Sequence, residues 1–465
     1  MKLANYLTNK KNSMISASLI VIILLGSVPI INIKIMGVVP TFYRVCIPVF
    51  TLYFLYKNFH FIGESIRKNK LTFYKISSLF AVFWLIYGGI QILVCPYVDL
   101  KTGLQELVNI LLGFFSVLCI IQCVLMDGGM RAIINSARAV IAAITVIGIF
   151  EMITCIHLGT SQFCSDTYLD VYMETYGFLP ADGKVSAMAT GIFYNVNDFS
   201  AWLGVFSVLF FPRKQYKLWI KVLFFSELSA IVLIALVNDA WICLVAMCVG
   251  GIAYLIFIRA KLLVCLVTFL WIGAMKLFSV QIFFHAVGYI YWILFPNKKL
   301  PRPIENLIRD GTSQVAEAVE GQIAGMKTGR GSLSLRFNTY GTAIKDTFSS
   351  SFGLGFGPGS FSNYFGALNS SNVLLNPHSL WIEILFQYGI LVLIGFLAVL
   401  VYAFLLLLKC WKYTQSATYA MILAMDIILV LISFAPSSFI GYSYLWVPIG
   451  LTLGVVMKER LNLMI

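Results

Sequence analysis

The chain has 465 residues, 60% of them hydrophobic and only 11% charged, with a mean hydropathy of +0.89 and a formal net charge of +13. That composition excludes a soluble globular protein. Apolar runs recur that reach the ~20 residues needed to cross a bilayer as helix, so the expected fold class is all-α, a polytopic bundle of about 12 transmembrane helices with a large extracytoplasmic helical loop.

In chain order the candidate spans are 14–32, 38–56, 74–95, 105–126, 136–156, 191–211, 218–237, 240–258, 261–280, 379–408, 418–436 and 440–457. The ninth is the weakest, because it runs on into an aromatic stretch, from His285 through Tyr289, Tyr291 and Trp292 to Phe295, that reads as a helix lying in the interface. Lys and Arg in the short loops set the orientation. Lys2, Lys10 and Lys11 lead the chain; Lys57, Arg67 and Lys68 follow the second span, and Arg213 and Lys214 the sixth. Arg259 follows the eighth, Lys409 the tenth, and Lys458 and Arg460 close the chain. Both termini are thereby expected inside, with the first span an uncleaved anchor.

Five regions follow. Residues 1–156 hold the N-terminal transmembrane helices, 157–190 a first long outer loop, 191–280 the central helices, 281–378 the large outer loop with amphipathic helices, and 379–465 the C-terminal helices. The first outer loop is acidic, with Asp166, Asp170, Glu174 and Asp182. The second is net basic, which invites an anionic ligand, although long loops also translocate regardless of charge. In that second loop Val315, Val319, Ile323 and Met326 share one helical face, and Phe337, Tyr340, Ile344 and Phe348 form a second apolar stripe. Arg336 lies at the edge of the second stripe, and Arg330 precedes it in the glycine-rich run Thr328-Gly329-Arg330-Gly331. A guanidinium fork matches phosphate oxygens; lipid headgroup or surface contact is the competing reading for both arginines.

The most informative stretch comes next. Gly353-Leu354-Gly355-Phe356-Gly357-Pro358-Gly359 leads to Asn376-Pro377-His378-Ser379 and then into an apolar helix. Gly355, Gly357 and Gly359 suit close approach of the backbone to substrate or to helix ends, or simply a tight turn. An imidazole with an ordinary pKa near 6.5 suits a base for a hydroxyl, and a cap or interface residue is the plainer role for His378. Glu383 and Gln387 follow within the span. An ionisable group at the bilayer centre costs about 2.5–3.5 kcal/mol, so Glu383 is expected to face protein or water. Asn197 and Asp198 interrupt the sixth span, as a substrate path or a helix–helix clamp, whereas Asn238-Asp239 reads as an outer-surface loop pair. His60, His157 and His285 read as structural or interfacial, and Cys155 and Cys164 flank an outer edge where they could pair or stay free.

The order Asn197 in a span, Arg336, Gly355-Phe356-Gly357-Pro358-Gly359, then His378-Ser379 ahead of Gly389 resembles the O-antigen ligase and polymerase superfamily of bacterial envelope glycan enzymes. The resemblance covers roughly the second half of the chain. It implies a multi-pass protein of the bacterial cytoplasmic (inner) membrane, with its site on the extracytoplasmic side. The implied reaction is glycosyl transfer from an undecaprenyl-diphosphate-linked oligosaccharide to a hydroxyl, with Arg336, assisted by Arg330, on the diphosphate and His378 activating the acceptor. Two departures stand out: Asn238-Asp239-Ala240 replaces a Ser-Arg found in relatives, and Val392 replaces a glycine that ligases tend to show. The second favours polymerisation of repeat units into O-antigen or capsule over ligation to lipid A core or another acceptor.

No metal and no cofactor is expected, since there is no Asp-x-Asp and the leaving group is already a diphosphate. The expected partners are the undecaprenyl-diphosphate-linked oligosaccharide, membrane lipids, a flippase and a chain-length regulator, with no nucleic acid. A lipid-linked glycan transporter is the rival from another class; transporters usually show repeated halves, where this chain has one large asymmetric loop.

Overall fold

The computed structural model describes residues 2–26, 28, 40–67, 72–154, 156–164, 188–211, 216–259, 332–368, 374–436, 438 and 440–462. Its helices are α1 (Lys2–Leu24), α2 (Phe42–Arg67), α3 (Thr72–Val94), α4 (Leu100–Leu125), α5 (Gly129–Thr154), α6 (Val196–Phe206), α7 (Leu218–Val237), α8 (Trp241–Phe257), α9 (Ser332–Ser349), α10 (Ser360–Ala367), α11 (Leu380–Thr414), α12 (Ala417–Ile432) and α13 (Trp446–Asn462).

Among the described residues, five helices are long and apolar enough to cross a membrane, at 73–94, 100–125, 129–154, 218–237 and 380–414; three more apolar helices, at 196–210, 241–257 and 417–432, are shorter. The expected span at 261–280 lies outside the described residues, as do 165–187 of the first outer loop and 281–331 of the second, including the Val315–Met326 stripe and Arg330.

Two compact units divide the chain: Met1–Ala137, Ser332–Asp426 and Pro436–Ile465 form the first, Arg138–Gly331 and Ile427–Ala435 the second. In the first unit α4 is the hub, packing on α1, α2, α3 and α13. Asp99 starts it, its carboxylate accepting from the Thr102 amide at 3.0 Å. Small residues let α4 and α13 approach closely. A Cβ on Gly113 would fall 2.3 Å from the Trp446 indole, and Cβ atoms on Gly450 and Gly454, one turn apart, would fall 2.8 and 2.9 Å from Ile120 and Val124.

In the second unit α6, α7 and α8 pack on one another. The chain between α5 and α6 is tied by the fully buried Glu151 of α5, whose Oε2 accepts from the amides of Thr190 at 2.8 Å and Gly191 at 2.7 Å while Oε1 accepts from Leu158 at 3.3 Å. His157 lies against the same carboxylate, Nδ1 to Oε1 at 3.8 Å, a structural place of the kind expected for it. Asn238 is not the surface loop residue expected from sequence. It is 3% exposed, exchanges hydrogen bonds with both backbone groups of Ala189 at 2.8 Å and donates to Ser200 Oγ at 3.0 Å. Polar backbone that water does not reach needs such partners, and an amide side chain supplies a donor and an acceptor at once.

Candidate active site

The site is built in the first unit from α9, the glycine loop and the start of α11. The apolar stripe predicted for α9 is not its buried face. Phe337, Ile344 and Phe348 are exposed, at 65%, 42% and 50%, whereas Thr339, Ala343 and Thr347 are fully buried. Close packing of α9 on α11 selects the small side chains, leaving the large ones outside. Tyr340 alone of the predicted stripe turns inward, packing on a core of Ala343, Phe356, Phe361, Tyr364, Phe365, Ile382 and Phe386.

Two hydrogen bonds fix the segment before α11 to this helix. Thr339 Oγ1 accepts from the Leu374 amide at 2.8 Å, and the Tyr340 hydroxyl donates to the His378 carbonyl at 2.8 Å. His378 itself is half-buried and holds φ +46°, left-handed backbone that is uncommon for a residue with a side chain and costs on the order of 1–3 kcal/mol. Ser379 then caps α11, its Oγ accepting from the Ile382 amide. Arg336 is half-buried one turn before Tyr340 on the same face of α9. Burial pushes the Tyr340 phenol above its ordinary range, and the Arg336 guanidinium draws it partly back. The structure thus sets the His378 carbonyl on the Tyr340 hydroxyl and Arg336 one turn before Tyr340 on the same helix.

The glycine loop docks on a break in the membrane helix. α11 is interrupted at Gly389, with φ 79° and ψ −178°. There the amides of Phe356 and Gly357 donate to the carbonyls of Phe386 and Gln387, and the Ile390 amide donates to Gly353, each at 2.8 Å. The Gln387 side chain accepts from the Gly359 amide, also at 2.8 Å. Gly355 and Gly389 meet backbone to backbone: a Cβ on Gly355 would lie 2.6 Å from Gly389 N, and one on Gly389 would lie 2.4 Å from Gly353 O. Gly355, Gly357 and Gly359 all carry positive φ. Of the roles weighed for these glycines, close approach to a helix is the one realised, and it pairs two carbonyls, of Phe386 and Gln387, and the Ile390 amide, backbone groups that a broken membrane helix would otherwise leave without partners.

Below His378, Glu383 is 1% exposed and faces protein, as expected, its carboxylate accepting from Ser438 Oγ at 2.5 Å. Glu106 on α4 was not singled out from sequence, yet it lies near Glu383 and the buried Tyr388 hydroxyl. The signal for it was a glutamate in the polar first turns of a span, beside Gln105 and Asn109.

Asn197 and Asp198 belong to the second unit, and their expected placement deep within a span is corrected by the structure. Helix α6 begins at Val196, Asn195 caps it by accepting from the Asn197 amide at 2.7 Å, and Asp198 sits 1% exposed in the first turn. They mark a helix start, where an acidic side chain meets the positive end of the helix dipole. Cys164 is a free thiol, and Cys155 lies outside the described residues.

Set against known proteins, the chain matches no family model. It is similar to the teichuronic acid biosynthesis protein TuaE of Bacillus subtilis (strain 168), 24% identical over 390 residues that cover 81% of this chain and 71% of the relative.

Proposed function

We propose that this protein is a glycosyltransferase of envelope polysaccharide assembly, which polymerises undecaprenyl-diphosphate-linked oligosaccharide repeats at the outer face of the cytoplasmic membrane. The observation that carries the reading is the hydrogen bond from Tyr340 to the backbone of His378 at the mouth of an apolar helix, with Arg336 one turn before Tyr340 on α9. Similarity to a teichuronic acid biosynthesis protein supports placing the reaction in polysaccharide synthesis.

In this reading Arg336 holds the diphosphate of the donor through its guanidinium fork, with Arg330 as a second contact. A nitrogen of His378 takes the proton of the acceptor hydroxyl as its oxygen bonds the anomeric carbon. The bond from that carbon to the diphosphate oxygen breaks, and the lipid diphosphate leaves with the electron pair. General-base assistance of this kind is worth about 10²–10⁴ in rate, and the guanidinium stabilises charge developing on the leaving group. Glu383 acts below the site as part of its wall, and the glycine loop fixes the helix that carries it.

Purified protein reconstituted with an undecaprenyl-diphosphate oligosaccharide tests this. A ladder of longer lipid-linked products that disappears in His378→Ala is the expected result. A donor consumed only when lipid A core or another acceptor is supplied makes the enzyme a ligase. The break at Gly389 favours one rival, since discontinuous helices are a transporter trait. A donor never consumed but moved across the vesicle bilayer would establish that rival and overturn glycosyl transfer.

A further inference from the structure

Resting on the glycosyl-transfer reading, we infer that Tyr340 is a positioning residue that sets the imidazole of His378, by holding the His378 backbone in its left-handed conformation from the helix that carries Arg336. Three observations meet on this side chain. Its ring is anchored in the aromatic core formed by the glycine loop, α10 and the start of α11, so the hydroxyl has a fixed place from which to donate. That hydroxyl donates to the His378 carbonyl at 2.8 Å, and His378 is a non-glycine residue at φ +46°, a conformation that persists only when its surroundings over-determine it. The neighbouring Thr339 binds the Leu374 amide at 2.8 Å, so the segment leading to His378 is held to α9 at both of its described ends.

The consequence is geometric. The direction of a Cα–Cβ bond follows from φ and ψ, so relaxing His378 toward ordinary backbone swings its imidazole away from an acceptor hydroxyl while leaving Arg336 on its helix. Displacements of about 1 Å at a reacting group cost on the order of 10²-fold in rate. Tyr340→Phe keeps the ring and removes only the donor. Its expected signature is therefore a turnover number reduced about 10- to 100-fold, with the KM for the lipid-linked donor within about threefold of wild type.

Tyr364→Phe is the control. Tyr364 belongs to the same aromatic core, and its hydroxyl donates to Asp346 at 2.8 Å instead of to His378. Its removal is expected to leave turnover within about threefold, the ordinary effect of losing a bond remote from the reacting groups.

The chain holds four histidines, which makes an activity-independent readout practicable. In protein labelled with carbon-13 at the histidine rings, in lipid nanodiscs, the resonance missing from His378→Ala identifies His378. That resonance is expected to move in Tyr340→Phe and to stay in Tyr364→Phe. An unmoved resonance, or turnover that falls equally in the two tyrosine variants, overturns the positioning role. Should His378→Ala turn over like wild type, glycosyl transfer through His378 fails by itself, and the resonance still decides whether Tyr340 sets the imidazole.

Discussion

Among the described residues, the polar assemblies around Glu151 and around His378 are built on different plans. Around Glu151 in the second unit, a carboxylate with no exposed surface is engaged by the backbone amides of Leu158, Thr190 and Gly191, while Asn238 closes both backbone groups of Ala189. Apart from the His157 side chain at 3.8 Å, the partners of the carboxylate are the protein's own main chain, and the product is a fixed loop. Around His378 in the first unit, what is tied down is backbone: the carbonyl of His378 by Tyr340, the amide of Leu374 by Thr339, and the glycine loop by the broken helix. The imidazole and the Arg336 guanidinium are the half-buried ends of that scaffold. In both places a polar side chain binds main chain, but the Glu151 carboxylate is itself the centre of its assembly, whereas Tyr340 and Thr339 hold the main chain that carries His378.

The comparison breaks most sharply at the imidazole. His378→Ala is expected to lower turnover about 10²- to 10⁴-fold without lowering the melting midpoint, because the His378 bond to Tyr340 uses a carbonyl that alanine retains. A variant that loses folded protein in proportion to activity would place His378 with the structural knots. Arg336→Ala follows, with a loss of about 10- to 150-fold in kcat/KM, the equivalent of about 1.5–3 kcal/mol for hydrogen bonds to a charged group. Arg336→Lys should recover only part of it, since a point charge lacks the fork. Full recovery in the lysine variant would mean that charge alone, as at a lipid headgroup, is what Arg336 supplies.

Part of this division was legible in the sequence. The span expected at 218–237 coincides with α7, and Glu383 faces protein, both because desolvation cost is a property of residue type that hydropathy reads directly. His378-Ser379 at a helix mouth was legible for a similar reason, since a cap must precede the apolar run. What hydropathy missed was partnership. Asn197-Asp198 looked like an interruption of a span because a window average is blind to a cap at Asn195, and Asn238 looked like a loop because its partner Ala189 is 49 residues away. The apolar stripe on α9 was legible, but the face by which α9 meets α11, Thr339, Ala343 and Thr347, was not, because small side chains carry little hydropathy signal. The glycines gave their spacing but not the break at Gly389 that they occupy, which only the docked loop makes visible.

That break supplies the next test. Gly389→Ala puts a Cβ 2.4 Å from the Gly353 carbonyl, on a residue at φ +79°, so either the loop or the helix must move. The strain is on the order of 1–3 kcal/mol. The expected result is a turnover loss of up to about 10-fold, with faster proteolysis between Ser351 and Gly359. Protection equal to wild type would show that the loop does not depend on the break for its place.

The smallest effect on turnover is expected where the buried charge is most complete. In Glu151→Gln the side chain keeps its length, but one of its two oxygens becomes an NH₂ group. Oε2 serves Thr190 and Gly191 while Oε1 serves Leu158, so either orientation of the new amide sets a donor against at least one backbone donor. A buried amide left without its acceptor costs about 1–3 kcal/mol, which should appear as a lower melting midpoint in detergent. Turnover per folded molecule should stay at the wild-type value, because the carboxylate is used up by main chain and has no exposed surface to offer a substrate. If turnover instead fell as expected for His378→Ala while the melting midpoint held, Glu151 would be chemistry in place of architecture, and the two assemblies would no longer differ in use.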